Sequence, residues 1–146
     1  MSGKADVAFV SCVKTKANRP MPAKDFYLSP WFRLARRYVE KNAHRWYILS
    51  AAHGCIHPED IIDPYDVTLN GASAADRGYW AVVVRDQFDK LGPNLSGERA
   101  IIFAGLNYRR DLISPLLRTF DEVQVPMEGL KMGQQLSWLT KHNDQG

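Results

Sequence analysis

An α/β fold is what this sequence predicts: one domain with a mainly parallel sheet of about four strands flanked by helices. Three observations point there. Ala100-Ile-Ile-Phe-Ala104 is a continuous apolar run, the pattern of a strand buried on both faces. Apolar runs of strand length alternate along the chain with stretches of helical periodicity. Several of these runs empty into small and polar residues, as parallel strands do where they meet a ligand. The chain of 146 residues has no internal repeat and no low-complexity linker, so a single domain spans 1–146.

Taken in order, Ala5 to Val10 reads as the first strand and ends at Ser11-Cys12. After a basic loop, Ser29-Pro30 opens a helix, with Ser as N-cap and Pro at the first helical position. Its predicted apolar stripe is Trp31, Leu34, Ala35, Tyr38 and Val39, opposite Arg33, Arg36, Arg37, Glu40 and Lys41. Arg45 to Ser50 is the second strand. Ser73 with Asp76 three residues on resembles a capping box. The helix it opens carries Tyr79, Val82, Val83 and Phe88 and stops at Gly92-Pro93. Ala100–Ala104 is the third strand. A helix from about Tyr108 is expected to be bent or interrupted near Ser114-Pro115. Glu122 to Pro126 forms a short fourth strand, and Gly133 to Lys141 a last helix.

Apolar residues at 45% and charged residues at 24% fit a soluble globular protein. No apolar run has the length of a membrane span, and the first residues lack the apolar centre of a signal peptide. Two cysteines make no disulfide framework, so a cytoplasmic setting is expected. The net charge of +3 is unevenly spread. Between Lys4 and Arg45 ten Lys and Arg face only three carboxylates, an electrostatic footprint for phosphate or nucleic acid or, equally, a solvated helix face.

The strand ends are Ser11-Cys12-Val13-Lys14, Ser50-Ala-Ala-His53-Gly54, Gly105-Leu-Asn107-Tyr108 and Met127-Glu128-Gly129. Side by side they would form one polar crevice. The loop after the second strand is the densest in chemistry, with His53, His57, Asp60, Asp63, Tyr65 and Asp66 in quick succession. Bland readings remain for each: Asp63 and Asp66 flank Pro64 as turn residues, Tyr65 packs, and Gly54 permits close backbone approach. His53-x-Cys55-x-His57 with Cys12 matches no standard zinc signature, so no metal is expected. No phosphate loop and no dinucleotide fingerprint is present, and no cofactor is expected.

The block Ile48 to Leu69, with Ile48-Leu-Ser50, Gly54 and Pro64-Tyr65, resembles the signature of the YaaA-type peroxide-stress proteins. It is more similar still to a small prophage and bacterial family of uncharacterised domains. That likeness runs through Ser11-Cys12-Val13-Lys14, Ala23 to Ser29, Gly105 to Arg109 and Gly129 to Gln135, nearly the whole chain. A more distant resemblance reaches the uracil-DNA-glycosylase-like domain of archaeal tRNA-modifying enzymes. His53 stands where Tyr is common in the pattern, and Cys55-Ile56-His57 replaces an apolar stretch. The resemblance implies a compact α/β domain connected with DNA binding, DNA damage or modified bases.

These residues suit cleavage of an N-glycosidic bond, which proceeds through a cation-like sugar. Asp66 is the expected carboxylate beneath the sugar, His53 the donor to the leaving base and Tyr65 the stacking ring. Ser11, Cys12, Lys14, Ser50, Asn107 and Tyr108 are expected to line the crevice. Lys24, Arg33, Arg36, Arg37 and Arg109 are expected to engage nucleic-acid phosphates. The expected function is a DNA-glycosylase-like hydrolase acting on a modified or damaged base, with DNA the expected partner and no membrane. The alternative is a noncatalytic DNA-binding protein of stress response or phage defence.

Overall fold

The computed structural model describes residues 3–144. Its elements run β1 (Ala5–Ser11), β2 (Met21–Pro22), α1 (Ala23–Phe26), α2 (Pro30–Asn42), β3 (Ala43–Ser50), β4 (Gly54–Ile56) and β5 (Ile61–Ile62). Then follow α3 (Ala74–Leu91), β6 (Gly97–Phe103), α4 (Leu106–Arg109), α5 (Ile113–Leu117), β7 (Phe120–Gln124) and α6 (Met132–Asp144). The main sheet has the order β4-β3-β1-β6-β7, and β2 pairs with β5 in a separate two-stranded ribbon. β3, β1, β6 and β7 are mutually parallel, while β4 folds back antiparallel on β3.

The parallel core of the sheet is as expected, but the main sheet has five strands. β4 is the addition. Its three residues lie inside a segment rich in polar groups, which hides it from a periodicity argument. It forms because Gly54 turns the chain at φ 74°, a conformation that disfavours other residues, and pairs Gly54 with Ser50. Gln87 on α3 then clamps it: the side-chain Oε1 accepts from Cys55 N at 2.7 Å and Nε2 donates to the His53 carbonyl at 2.9 Å. A Cβ at position 54 would collide with that Gln87 amide.

Helices cover both sheet faces. In register, Phe9 lies beside Tyr47 and Ile102, and Val10 beside Ile48 and Phe103, so alternate residues face opposite layers. Phe9 meets Phe88 of α3 at 5.4 Å between ring centroids. On the other face Phe103 meets Tyr38 of α2 and Trp138 of α6. Ser29 caps α2, its side chain accepting from Phe32 N, and Ser73 caps α3 through Asp76 N.

Two helix faces differ from expectation. α2 buries Trp31, Phe32, Ala35 and Val39, with Leu34 and Tyr38 half-buried at its edge. α3 buries Trp80, Ala81, Val84 and Phe88, leaving Tyr79 75% exposed, with Val82 and Val83 also outside. Both sets on α3 have helical spacing. The aromatic Trp80 decides between them, because its indole N–H reaches the Ser50 carbonyl at 2.9 Å. The helical region around Tyr108 is interrupted, as one expected alternative had it, but it starts at Leu106 and the break between α4 and α5 falls at residues 110–112, ahead of Ser114-Pro115.

Candidate functional site

β1 connects to β3 on one side of it, and β6 connects to β7 on the other. The carboxyl ends of the adjacent strands β1 and β6 therefore form the topological switch point, where open parallel sheets bind ligands. A chamber of about 470 Å³ lies there. Ser11, Cys12, Lys14 and Thr15 line it from the β1 end, Gly105 and Tyr108 from the β6 end, and Asn70 from the long loop. Pro30 and Trp31 of α2 and Met132 and Leu136 of α6 make its apolar wall, with Gln135 set between them. Gln135 ties the two helices together: Oε1 accepts from Trp31 Nε1 at 2.9 Å and Nε2 donates to the Leu130 carbonyl at 2.9 Å.

A smaller cavity of about 250 Å³ adjoins the chamber. The two share Cys12, Val13, Lys14, Asn70 and Tyr108, and the annex adds Lys16, Asp66, Val67 and Thr68. The carboxylate of Asp66 thus stands at one end of a composite crevice whose other end is apolar. The separation reflects chain geometry, since the loop from β5 to α3 runs across the mouth of β1.

Hydroxyl groups pin that loop on both sides of Asp66. Upstream, the Tyr65 hydroxyl accepts from Ser50 Oγ at 3.1 Å and shares a hydrogen bond with Tyr27 OH at 2.7 Å. Ser50 Oγ in turn accepts from His53 N at 3.1 Å. Downstream, Tyr108 OH accepts from Leu69 N at 3.2 Å and from Cys12 Sγ at 3.5 Å, and lies 3.4 Å from Thr68 Oγ1. Burial pushes the Tyr27 and Tyr65 hydroxyls well above the usual tyrosine range, and that of Tyr108 up to about 12. All three remain protonated donors at neutral pH. Tyr65→Phe is expected to cost about 1–3 kcal/mol, because Ser50 and Tyr27 lose a shared partner. Chemical denaturation of the variant checks this, with an unchanged midpoint as the contrary result.

The sequence-predicted residues divide into groups. Ser11, Cys12, Lys14, Tyr108 and Asp66 come together at the crevice. Ser50 is fully buried beneath Tyr65 and acts as its hydrogen-bond donor. Asn107 sits beside the crevice, its Nδ2 donating to Asn70 Oδ1 at 3.1 Å. Tyr65 is not free to stack on a base. Its ring lies on Phe26 with planes 14° apart, His53 approaches it edge-on, and Lys16 Nζ stands 4.8 Å from its centroid. His53 lines neither the chamber nor the annex; in the turn into β4 its ring is set edge-on against Tyr65. Met127 and Gly129 line another hollow of about 270 Å³, beside Arg109, that shares Gly105 and Gln135 with the chamber.

The basic residues divide in the same way. Lys24 pairs with Glu59, and Arg36 with Asp25 and Glu40, so their charges are already answered within the fold. Arg109 donates to the Ala104 carbonyl at 2.9 Å and lies 3.6 Å from Glu128. Arg33 and Arg37 are exposed on α2, whose first turn walls the chamber. Asn70 and Leu136 escaped sequence reasoning, since neither carries a motif; Trp31 reads from the sequence only as part of the α2 apolar stripe, and Gln135 only as the last residue of the Gly129–Gln135 likeness, with no place in the crevice.

Cys55 and His57 take other roles. The His57 ring meets Tyr47 edge-on at 5.2 Å. Desolvation, with the nearby Asp60 carboxylate adding to it, pushes the Cys55 thiol up to about 12. Among the described residues no group of three or more His, Cys, Asp or Glu is placed to hold a metal ion. The raised thiol has a stability consequence. Between pH 9 and 12 the unfolded chain has released this proton while the folded one keeps it, so the slope of stability with pH is negative. The contribution is complete below the unfolded thiol's pKa and is lost as pH climbs toward 12. Denaturation midpoints are expected to fall above pH 9, and Cys55→Ala is expected to flatten that fall.

Among the described residues no helix is long and apolar enough to cross a membrane. No solved structure matches this chain. The uncharacterized protein YfjM of Bacillus subtilis (strain 168) is 29% identical over 113 residues, covering 77% of this chain and 73% of that protein. Residues 7–141 match DUF6884, a family of unknown function, and the chain belongs to that family.

Proposed function

We propose that the crevice at the ends of β1 and β6 is the active site of an N-glycosidase that releases a modified or damaged base from DNA. The observation that carries this reading is the position of Asp66 in an annex that shares five lining residues with a chamber walled on one side by apolar side chains and large enough for a bulky base. A base lifted from the helix enters between Trp31 and Leu136, leaving its sugar toward Asp66. The carboxylate stabilises the sugar cation as the C1′–N bond breaks and orients a water molecule onto C1′. The leaving nitrogen keeps the bonding electron pair and takes a proton. The attacking water loses one to Asp66 and then to solvent, so water is the only co-reactant. Tyr108, held protonated by burial, is a donor within the crevice.

The resemblance of Ile48–Leu69 to YaaA-type proteins, and more distantly to glycosylase-like domains, supports the same reading. So do the exposed Arg33 and Arg37 on α2, the helix whose first turn walls the chamber. The test is incubation with genomic DNAs bearing natural and hypermodified bases, followed by mass spectrometry of released small molecules. A free base is the expected product. Salt-sensitive DNA binding without release from any DNA would instead make this a noncatalytic DNA-binding protein.

A further inference from the structure

The segment that follows β1, Ser11-Cys12-Val13-Lys14-Thr15-Lys16, carries more than the glycosidase reading uses. Ser11 is only 5% exposed and lines the chamber, and among the described residues its hydroxyl makes no hydrogen bond within the protein while keeping contact with solvent. A hydroxyl that reaches solvent at the wall of a chamber is free to donate to whatever fills it. Lys14 lines both cavities and Lys16 lines the annex. Among the described residues neither ammonium has a carboxylate within 4.0 Å, in contrast to Lys24, Arg36 and Arg109. Lys16 is also held in place, with its Nζ donating to the Lys14 carbonyl at 3.3 Å and standing over the Tyr65 ring. Two cations without a carboxylate partner and a free hydroxyl therefore lie on one short segment at the switch point, with Lys14 lining both cavities, Ser11 the chamber and Lys16 the annex. The wall opposite, Pro30, Trp31, Met132 and Leu136, is apolar.

We propose that the crevice recognises a nucleoside 5′-phosphate unit, with its phosphate on Ser11 Oγ, Lys14 Nζ and Lys16 Nζ and its base against Trp31 and Leu136. This rests on the glycosidase reading only for the identity of the ring. The anion subsite stands on its own geometry and applies whether the unit is free or part of a strand. The phosphate fixes the register of the unit, so that C1′ falls toward Asp66 and the base cannot enter in reverse.

The test is a nuclear magnetic resonance titration of the full chain with four probes: ribose 5-phosphate, ribose, thymidine 5′-monophosphate and a single-stranded oligonucleotide. Ribose 5-phosphate carries the anion without a base, so the outcome does not depend on which base the enzyme prefers. It is expected to shift the amide resonances of residues 11–16, and ribose is not. Lys14→Ala is expected to weaken the phosphate response about tenfold, and Ser11→Ala by a smaller factor. Lys14→Arg should restore part of it. The exposed Lys14 can be replaced without loss of fold, and the unperturbed remainder of the spectrum reports that. A response of equal size to ribose, one centred away from residues 11–16, or one indifferent to Lys14→Ala overturns the proposal. Response to the oligonucleotide alone also overturns it, since recognition then needs a polymer. Base release from DNA without any phosphate response sinks the subsite and keeps the glycosidase. A phosphate response without base release does the reverse.

Discussion

Asp66→Asn is expected to lower base release by about three orders of magnitude while leaving DNA affinity within about twofold of the wild type. The side chain is nearly isosteric, so shape is retained, and only the charge facing the sugar cation is lost. Asp66 is exposed and sits between Tyr65 and the Thr68–Leu69 pair, each held by a tyrosine hydroxyl. Its own side chain supports no part of the core, so the melting temperature of the variant should match the wild type. Lost turnover therefore cannot be ascribed to unfolding. Binding should be unchanged or slightly tighter, because a carboxylate beside a phosphate chain is repulsive. Single-turnover release from a cleavable DNA, with affinity measured in parallel, checks both halves. Turnover equal to wild type would remove Asp66 from the mechanism. His53→Ala is a useful companion: the ring lines neither cavity, and release should stay close to wild type.

Phe9→Ala is the substitution with the largest expected effect on stability, about 3–5 kcal/mol, or roughly 10–15 °C in Tm. Phe9 is fully buried on the central strand, stacked with Tyr47 at 6.0 Å and tilted against Phe88 of α3 at 5.4 Å. Truncation opens a void between sheet and helix that neither ring can fill without leaving its rotamer. Val82→Thr, on the outer face of the same helix, should change stability by no more than about 0.5 kcal/mol. Thermal melts of the pair test the layer assignment directly. A large loss for Val82→Thr would mean that the face read from the sequence is the buried one.

That contrast marks where the sequence was legible. β1, β3 and β6 stand out because their later residues, Val7–Val10, Tyr47–Leu49 and Ala100–Phe103, are buried on both faces and continuously apolar. The caps at Ser29 and Ser73 stand out because their side chains answer specific amide groups. The inner face of α3 did not, since Tyr79-Val82-Val83 and Trp80-Ala81-Val84 both repeat at helical spacing and only tertiary packing chooses between them. β7 begins at Phe120, two residues before the apolar pair Val123 and Val125 suggests, because its pairing with β6 starts at Gly97. In the crevice, strand-end residues could be placed together once the sheet was known to be parallel. The contribution of α6 could not, since a helix packed across the chain leaves no trace of its neighbour in its own pattern. Nor could the turn that sets the His53 ring edge-on against Tyr65, which depends on one glycine and a glutamine 33 residues later on another helix.

The place of β1 at the centre of the sheet also bears on how the chain reaches this shape. Its pairing with β3 needs only the first third of the sequence. Its other edge waits for β6, and the carboxylate of Asp6 that receives Arg99 N does so across 93 residues. A chain emerging from the ribosome therefore carries an apolar strand with one bare edge until residue 103 or so has been made. Closing that long span makes folding slow relative to helical proteins of this size, and fragments ending before β6 are the ones that should associate with each other.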